Sequence, residues 1–178
     1  SWRGGRIAAR WLMSDDWTAD FSVHYQDIDA DGFADVDPST GDLTIAKFKP
    51  ETRTDEFIAT SLVITGELDF ATLVVAGSYY DRDTLYQHDT QTYAEYFNAF
   101  GWGYDWVEDA KGYLTNDQNN DSKSLEVRLT GAGEKVDWTL GFFYSDLSET
   151  WDFKTYIDNY ADSMGFYYWT TYYGFDIA

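Results

Sequence analysis

The sequence predicts an all-β protein: an antiparallel up-and-down transmembrane β-barrel segment of about six strands in three hairpins. Three observations carry that expectation. Apolar and polar residues alternate with period two in several stretches. Short turns and long polar excursions alternate between those stretches. Aromatics make up 20% of residues although the mean hydropathy is negative, at -0.48. A barrel wall needs apolar residues only at every second position, so it can be rich in aromatics without any long hydrophobic run. No window of about 18 uncharged apolar residues occurs, which excludes helical spanning.

The clearest stretch is Trp17 to Asp27, where Trp17, Ala19, Phe21, Val23 and Tyr25 alternate with Thr18, Asp20, Ser22, His24 and Gln26. A strand here has one greasy face and one wet face. Eight steps of roughly 3.3 Å, tilted near 40°, cover about 20 Å, close to the apolar band of an outer-membrane barrel. The first strand, about 5–13, places Ile7, Ala9, Trp11 and Met13 opposite Arg6 and Arg10, and Ser14-Asp15-Asp16 turns it into the second, about 17–27. A long loop, about 28–53, holds both prolines, Pro38 and Pro50, so neither interrupts a ladder.

The third and fourth strands, about 54–65 and 70–86, are rich in Ile, Val, Thr and Phe, but their alternation is poor and leaves the facing open. A second long excursion covers about 87–121. The fifth strand, about 122–130, alternates Leu125, Val127 and Leu129 with Ser124, Glu126, Arg128 and Thr130. Gly131-Ala132-Gly133-Glu134-Lys135 then turns into the sixth, about 136–148, with Trp138, Leu140, Phe142 and Tyr144 on one side. The remainder, about 149–178, is a third excursion dense in Tyr and Trp. Trp17, Phe21, Val23, Tyr25, Trp138, Leu140, Phe142 and Tyr144 are the expected lipid-facing residues. Trp11, Trp17 and Trp138 sit beside short turns, where an interfacial girdle needs them. Six strands do not close a barrel, since the smallest single-chain bacterial ones have about 8, so partner strands are expected from elsewhere.

The formal net charge of -20 repels nucleic acid and anionic surfaces and suits cations. The absence of cysteine fits an envelope protein folded without disulfides. Ser1-Trp2-Arg3-Gly4-Gly5 leads directly into strand-like sequence without a secretory signal, as in a chain processed or excised from a longer one.

Ser14-Asp-Asp-Trp17 opening a strand that ends Tyr25-Gln-Asp-Ile-Asp-Ala-Asp-Gly32, then Tyr79-Tyr-Asp-Arg-Asp83, then Leu125-Glu-Val-Arg-Leu129 followed by Trp138-Thr-Leu-Gly-Phe-Phe-Tyr144, together resemble the TonB-dependent outer-membrane receptors over roughly residues 5 to 153. The resemblance implies a 22-stranded barrel with a plugged lumen, short turns toward the periplasm, long loops outside the cell and energy-coupled uptake of a scarce ligand such as a ferric siderophore, cobalamin or a glycan. It implies as partners outer-membrane lipid, the remaining barrel strands, a plug domain, the TonB system and a small-molecule ligand. This sequence departs from the family in lacking the plug, the TonB box and a terminal strand ending in an aromatic, so alone it is expected neither to close nor to transport.

Asp27, Asp29, Asp31 and Gly32 match the start of a calcium loop, with Asp35 where a later ligand stands. Pro38 occupies the position of the bidentate Glu, so a solvated acidic loop fits as well. Tyr93, Tyr96, Phe97, Trp102, Tyr104 and Trp106 could form an aromatic ligand platform, or simply pack the long loop. Tyr156, Tyr160, Tyr167, Tyr168, Trp169, Tyr172 and Tyr173 invite the same two readings. His24 alternates with the lipid-facing residues and so points to the other side, and His88 has no partner at ligand spacing. No nucleophile elbow, phosphate loop, paired-His motif or catalytic Cys occurs, so no enzyme is expected. The rival expectation is a secreted β-sandwich carbohydrate-binding module with a calcium-binding acidic loop.

Overall fold

A computed structural model describes residues 1–91 and 111–158. The described residues form one six-stranded sheet in the order β1 to β6, so that each strand pairs with its neighbours in the chain. The strands are β1 (Trp2–Leu12), β2 (Trp17–Asp31), β3 (Thr52–Leu68), β4 (Ala71–Asp89), β5 (Gly112–Ala132) and β6 (Asp137–Ile157). The all-β, antiparallel up-and-down architecture is therefore as expected, and the sheet is open, with β1 and β6 as its edges. Among the described residues no helix is long and apolar enough to cross a membrane.

The strands outrun their expected limits. β2 continues to Asp31 instead of ending near 27, β5 begins at Gly112 instead of near 122, and β6 runs on to Ile157 instead of stopping near 148. The expected loops 28–53, 87–121 and 149–178 are shortened accordingly. The reason is physical: Asn116, Asp117, Gln118, Asn119 and Asn120 offer no apolar face, yet the ladder is made by backbone groups, which pair whatever the side chains are.

The chain clusters into two units, taken here one at a time. The first comprises 1–29, 54–84 and 117–151 and contains the short connections of the sheet. Its register is visible in β1 and β2, where Ile7 faces Val23, Ala9 faces Phe21 and Trp11 faces Ala19, while Arg6 faces His24 and Arg10 faces Asp20. Apolar residues thus meet apolar ones and polar residues meet polar ones across the pair.

A line of polar contacts extends that sorting across the sheet. Arg10 binds Asp20 at 2.6 Å, Ser22 binds Ser61 at 2.9 Å, Arg82 binds Asp55 at 2.6 and 2.8 Å, Ser78 binds Ser124 at 2.7 Å, and Thr130 meets Thr139 at 3.4 Å. Side chains in contact across adjacent strands share a face, so these residues define one polar face from β1 to β6. His24 lies on it, edge-on to Phe57 with centroids 5.2 Å apart. The opposite parity then carries Ile58, Leu62 and Ile64 on β3 and Leu73 and Val75 on β4, which settles the facing that alternation alone left open. The same face presents Phe21, Leu125, Leu140 and Phe142. Edge strand β6 is less strict, since Phe143 and Leu147 have the polar-face parity.

This apolar face is not covered. Leu140 is 68% exposed, Phe142 61% and Ile7 71%, and among the described residues the one buried hydrophobic residue is Ala71. Two of its tryptophans lie flat on glycines of the neighbouring strand: a Cβ built on Gly66 would come within 2.5 Å of the Trp17 ring, and one on Gly131 within 2.4 Å of Trp138. The missing side chain is what lets each ring lie against the backbone beside a short turn.

Two outcomes follow from this packing. Gly131→Ala forces the Trp138 ring off its seat and should lower stability by about 1–3 kcal/mol, the usual cost of overpacking, read as a lower urea midpoint; an unchanged midpoint refutes the close packing. Asp55 is the most deeply buried charge of this unit at 3% exposure. Arg82→Met removes the two-bond guanidinium partner of this carboxylate and should cost about 3 kcal/mol, and adding Asp55→Asn should recover part of that loss in the same titration.

Candidate functional site

The second unit comprises 30–53, 85–116 and 152–178 and contains the two longer connections of the sheet. Its organising feature is the segment between Asp31 and Thr52. Gly32 turns the chain with φ +88°, a left-handed conformation that disfavours side chains, and its N–H donates to the Glu51 carbonyl at 2.9 Å. That bond closes the segment at its base. Asp37 then nucleates a tight turn, accepting from the Ser39 N–H at 2.9 Å and the Ser39 hydroxyl at 2.7 Å. Those two bonds hold the Asp37 carboxyl below the usual carboxylate range.

The two arms of the segment are tied to each other by charge. The Lys47 ammonium lies 2.8 Å from an Asp35 carboxylate oxygen and 2.9 Å from Glu51 Oε1. Burial works against this ammonium, but its bonds to Asp35 and Glu51 prevail and hold its pKa above the ordinary lysine value. The same contact with Lys47 holds the Asp35 carboxyl below the usual range. Glu51, with its side chain only 5% exposed, also accepts from the Asp89 N–H at 3.0 Å and stands 3.5 Å from His88 Nε2.

Asp89 does the complementary work on the backbone. One carboxylate oxygen accepts the N–H groups of Phe48 and Lys49 at 2.8 and 2.6 Å, and the other accepts that of Gln91 at 2.9 Å. Phe33 covers the cluster from one side, its ring centroid 4.7 Å from that of His88 and 5.7 Å from that of Tyr86. Lys49 pairs with Asp158 at 2.9 Å, and Tyr113 stacks on Tyr156 at 4.7 Å. Beside the cluster opens a cavity of about 740 Å³ whose lining includes Asp35, Ile45, Lys47, His88, Leu114 and Phe153.

The structure redistributes the expected site residues. Asp27, Asp29 and Asp31 lie in β2 rather than in a loop. Same-face neighbours in a strand are about 6.6 Å apart, so the extended backbone spaces these carboxylates out instead of wrapping them around one centre. Asp35 alone of that set joins a group of potential ligands: its carboxylate, that of Glu51 and the His88 ring offer atoms within 4.8 Å of one another. His88, which lacks a ligand partner by spacing along the chain, thus acquires two by folding. Lys47 and Glu51 lie four residues apart in one non-helical stretch, where that spacing implies no contact, and His88 reaches them from β4, so no local pattern announces their meeting. Tyr93, Tyr96, Phe97, Trp102, Tyr104 and Trp106 lie outside the described residues, as do Tyr160, Tyr167, Tyr168, Trp169, Tyr172 and Tyr173.

Compared with known proteins, the chain matches no protein-family model and no curated sequence.

Asp89→Ala strips the acceptor from three backbone N–H groups, each costing about 1–3 kcal/mol if left buried and unbonded. The expected result is trypsin cleavage after Lys47 at least tenfold faster than in the parent; an unchanged rate removes Asp89 as the anchor of this segment.

Proposed function

We propose that this chain is part of the wall of an outer-membrane β-barrel of the TonB-dependent receptor type, taking part in the uptake of a scarce ligand such as a ferric siderophore, and that it catalyses no reaction. The observation that carries the membrane part is the uncovered apolar face of the first unit. A water-soluble sheet buries such a face against a second layer, whereas among the described residues a single sheet occurs and its one buried hydrophobic residue is Ala71. Contiguous apolar surface larger than a few hundred Å² marks a contact with protein or membrane. Hydrocarbon is the occupant that accepts a face of Ile, Leu, Val and Phe repeated on every strand, and it requires no complementary shape.

Strand length agrees with this assignment. About 9–11 tilted residues cross the hydrocarbon, while β3 to β6 have between 17 and 21. Much of the excess, as in 52–56, 81–84 and 115–121, is polar on both faces and belongs in water, as with barrel strands that continue beyond the outer leaflet. Connections follow the same asymmetry: 13–16, 69–70 and 133–136 are short, while 32–51 and 90–111 are long. In an outer-membrane barrel the short turns face the periplasm and the long ones the exterior. The receptor assignment itself rests on the resemblance of the quoted motifs, and with it comes the requirement for further strands beside β1 and β6 and for the plug and TonB system.

The chain has no cysteine, which allows single reporters. The gene product carrying it is refolded into vesicles containing brominated lipid, with a bimane at Phe21→Cys or Phe142→Cys and, as the other parity, at Ser22→Cys or Thr139→Cys. Bromine should quench the first pair severalfold more than the second. Equal quenching, or recovery of the native protein in a detergent-free aqueous fraction, overturns the membrane assignment in favour of a secreted β-sandwich. Ligand uptake that persists in cells lacking TonB overturns the receptor assignment alone.

A further inference from the structure

We propose that Asp35, Glu51 and His88 form a binding site for a divalent transition-metal ion of the zinc kind, with one coordination position open toward the adjoining cavity. The inference stands on the second unit alone and does not depend on the membrane assignment.

Three observations lead to it. The first is proximity: one ligand atom from each residue lies within 4.8 Å of the others. Ligands of a tetrahedral zinc at 2.0–2.2 Å stand about 3.4 Å apart, so the group needs to contract by roughly an ångström, within reach of the half-exposed Asp35 side chain. The second is the state of His88. Its Nδ1 lies 2.7 Å from the Asp89 carbonyl oxygen, which can only accept, so Nδ1 carries the hydrogen. The other ring nitrogen, Nε2, is turned toward Glu51 Oε1 at 3.5 Å. Glu51 Oε1 is at present served by the Lys47 ammonium at 2.9 Å, so an ion entering here takes over a place that a cation already fills. A backbone carbonyl holding the far nitrogen of a metal-binding imidazole is also the usual supporting contact. The third is Asp35 Oδ1, which is buried and accepts no hydrogen bond, while Oδ2 is engaged by Lys47.

Charge points the same way. Asp35 and Glu51 together carry two negative charges against the one positive charge of Lys47, and the unbalanced charge sits where Glu51 is 5% exposed. Lys47 is a compact charge on a flexible stem, so the ammonium can swing out as an ion enters. It is an internal competitor for the same oxygens. The donor set selects among ions: one imidazole with two carboxylates suits zinc and its transition-metal neighbours, whereas calcium takes 6–8 oxygen ligands. Three protein ligands leave a fourth position for water or for a donor group of a molecule in the cavity, because Asp35 and His88 both line it.

The test is isothermal titration of the folded protein with zinc chloride, and separately with calcium chloride. One zinc ion should bind saturably and calcium should not. Lys47→Met should bind zinc roughly tenfold more tightly, since a like charge a few ångströms away is removed. This gain cannot arise from misfolding. His88→Ala should weaken binding at least tenfold, while His24→Ala, which alters the chain's other histidine, should leave it unchanged. Absence of saturable zinc binding in both the parent and Lys47→Met overturns the site. Zinc binding that survives His88→Ala places the ion elsewhere and overturns it equally.

Discussion

The structure depends on parity. Each strand shows alternate residues to opposite faces, and pairing in register makes the parity of one strand dictate that of the next. Once Arg10 is opposite Asp20, the Ser22 to Ser61, Asp55 to Arg82, Ser78 to Ser124 and Thr130 to Thr139 contacts must all lie on that same face. Most of the large apolar residues then take the other face, with Phe57, Phe143 and Leu147 as exceptions. A slip of one residue would turn Asp20, Asp55 and Arg82 into the greasy face and Phe21, Ile58 and Leu73 into the polar one. On the proposed membrane assignment such an exchange costs about 2–4 kcal/mol for an Arg or Lys at mid-bilayer, and register is set by many small preferences rather than by one strong bond.

This sheet inverts the usual arrangement, because its hydrogen-bonded network is on the less exposed side and its hydrophobic residues are on the more exposed one. Asp55 is nearly inaccessible while Leu140 and Phe142 stand open. A charge so placed is tolerable because Arg82 meets it with two bonds in the fork geometry that suits a carboxylate. The polar face therefore supplies specificity of pairing, and the apolar face supplies affinity for whatever covers it. On the proposed membrane assignment the cover is lipid.

The second unit follows a different rule. It holds its long segment with a few charges and backbone caps instead of apolar packing: Lys47 between two carboxylates, and Asp89 on three N–H groups. Such an assembly suits a region rich in water and acid, where hydrophobic burial is scarce. It also concentrates unequal charge beside a cavity, the condition under which a cation gains most by binding.

How much of this was legible beforehand differs from element to element. The alternation of Trp17 to Tyr25, Leu125 to Leu129 and Trp138 to Tyr144 determined by itself that strands form there and which residues share a face, because period two is a property of the backbone and is detectable wherever the two faces differ in polarity. Where both faces are polar, as in 115–121, the same backbone pairing leaves no trace in the sequence, so the strand ends were decided by the ladder. Where both faces are mixed, as in β3 and β4, only contacts with neighbouring strands decided the facing. The meeting of Asp35, Lys47, Glu51 and His88 belongs wholly to tertiary structure. Asp35, Lys47 and Glu51 share one irregular segment without a periodic pattern and His88 comes from β4, so their attraction acts through space rather than by spacing along the chain, and it becomes strong only after folding has excluded the water that screens it.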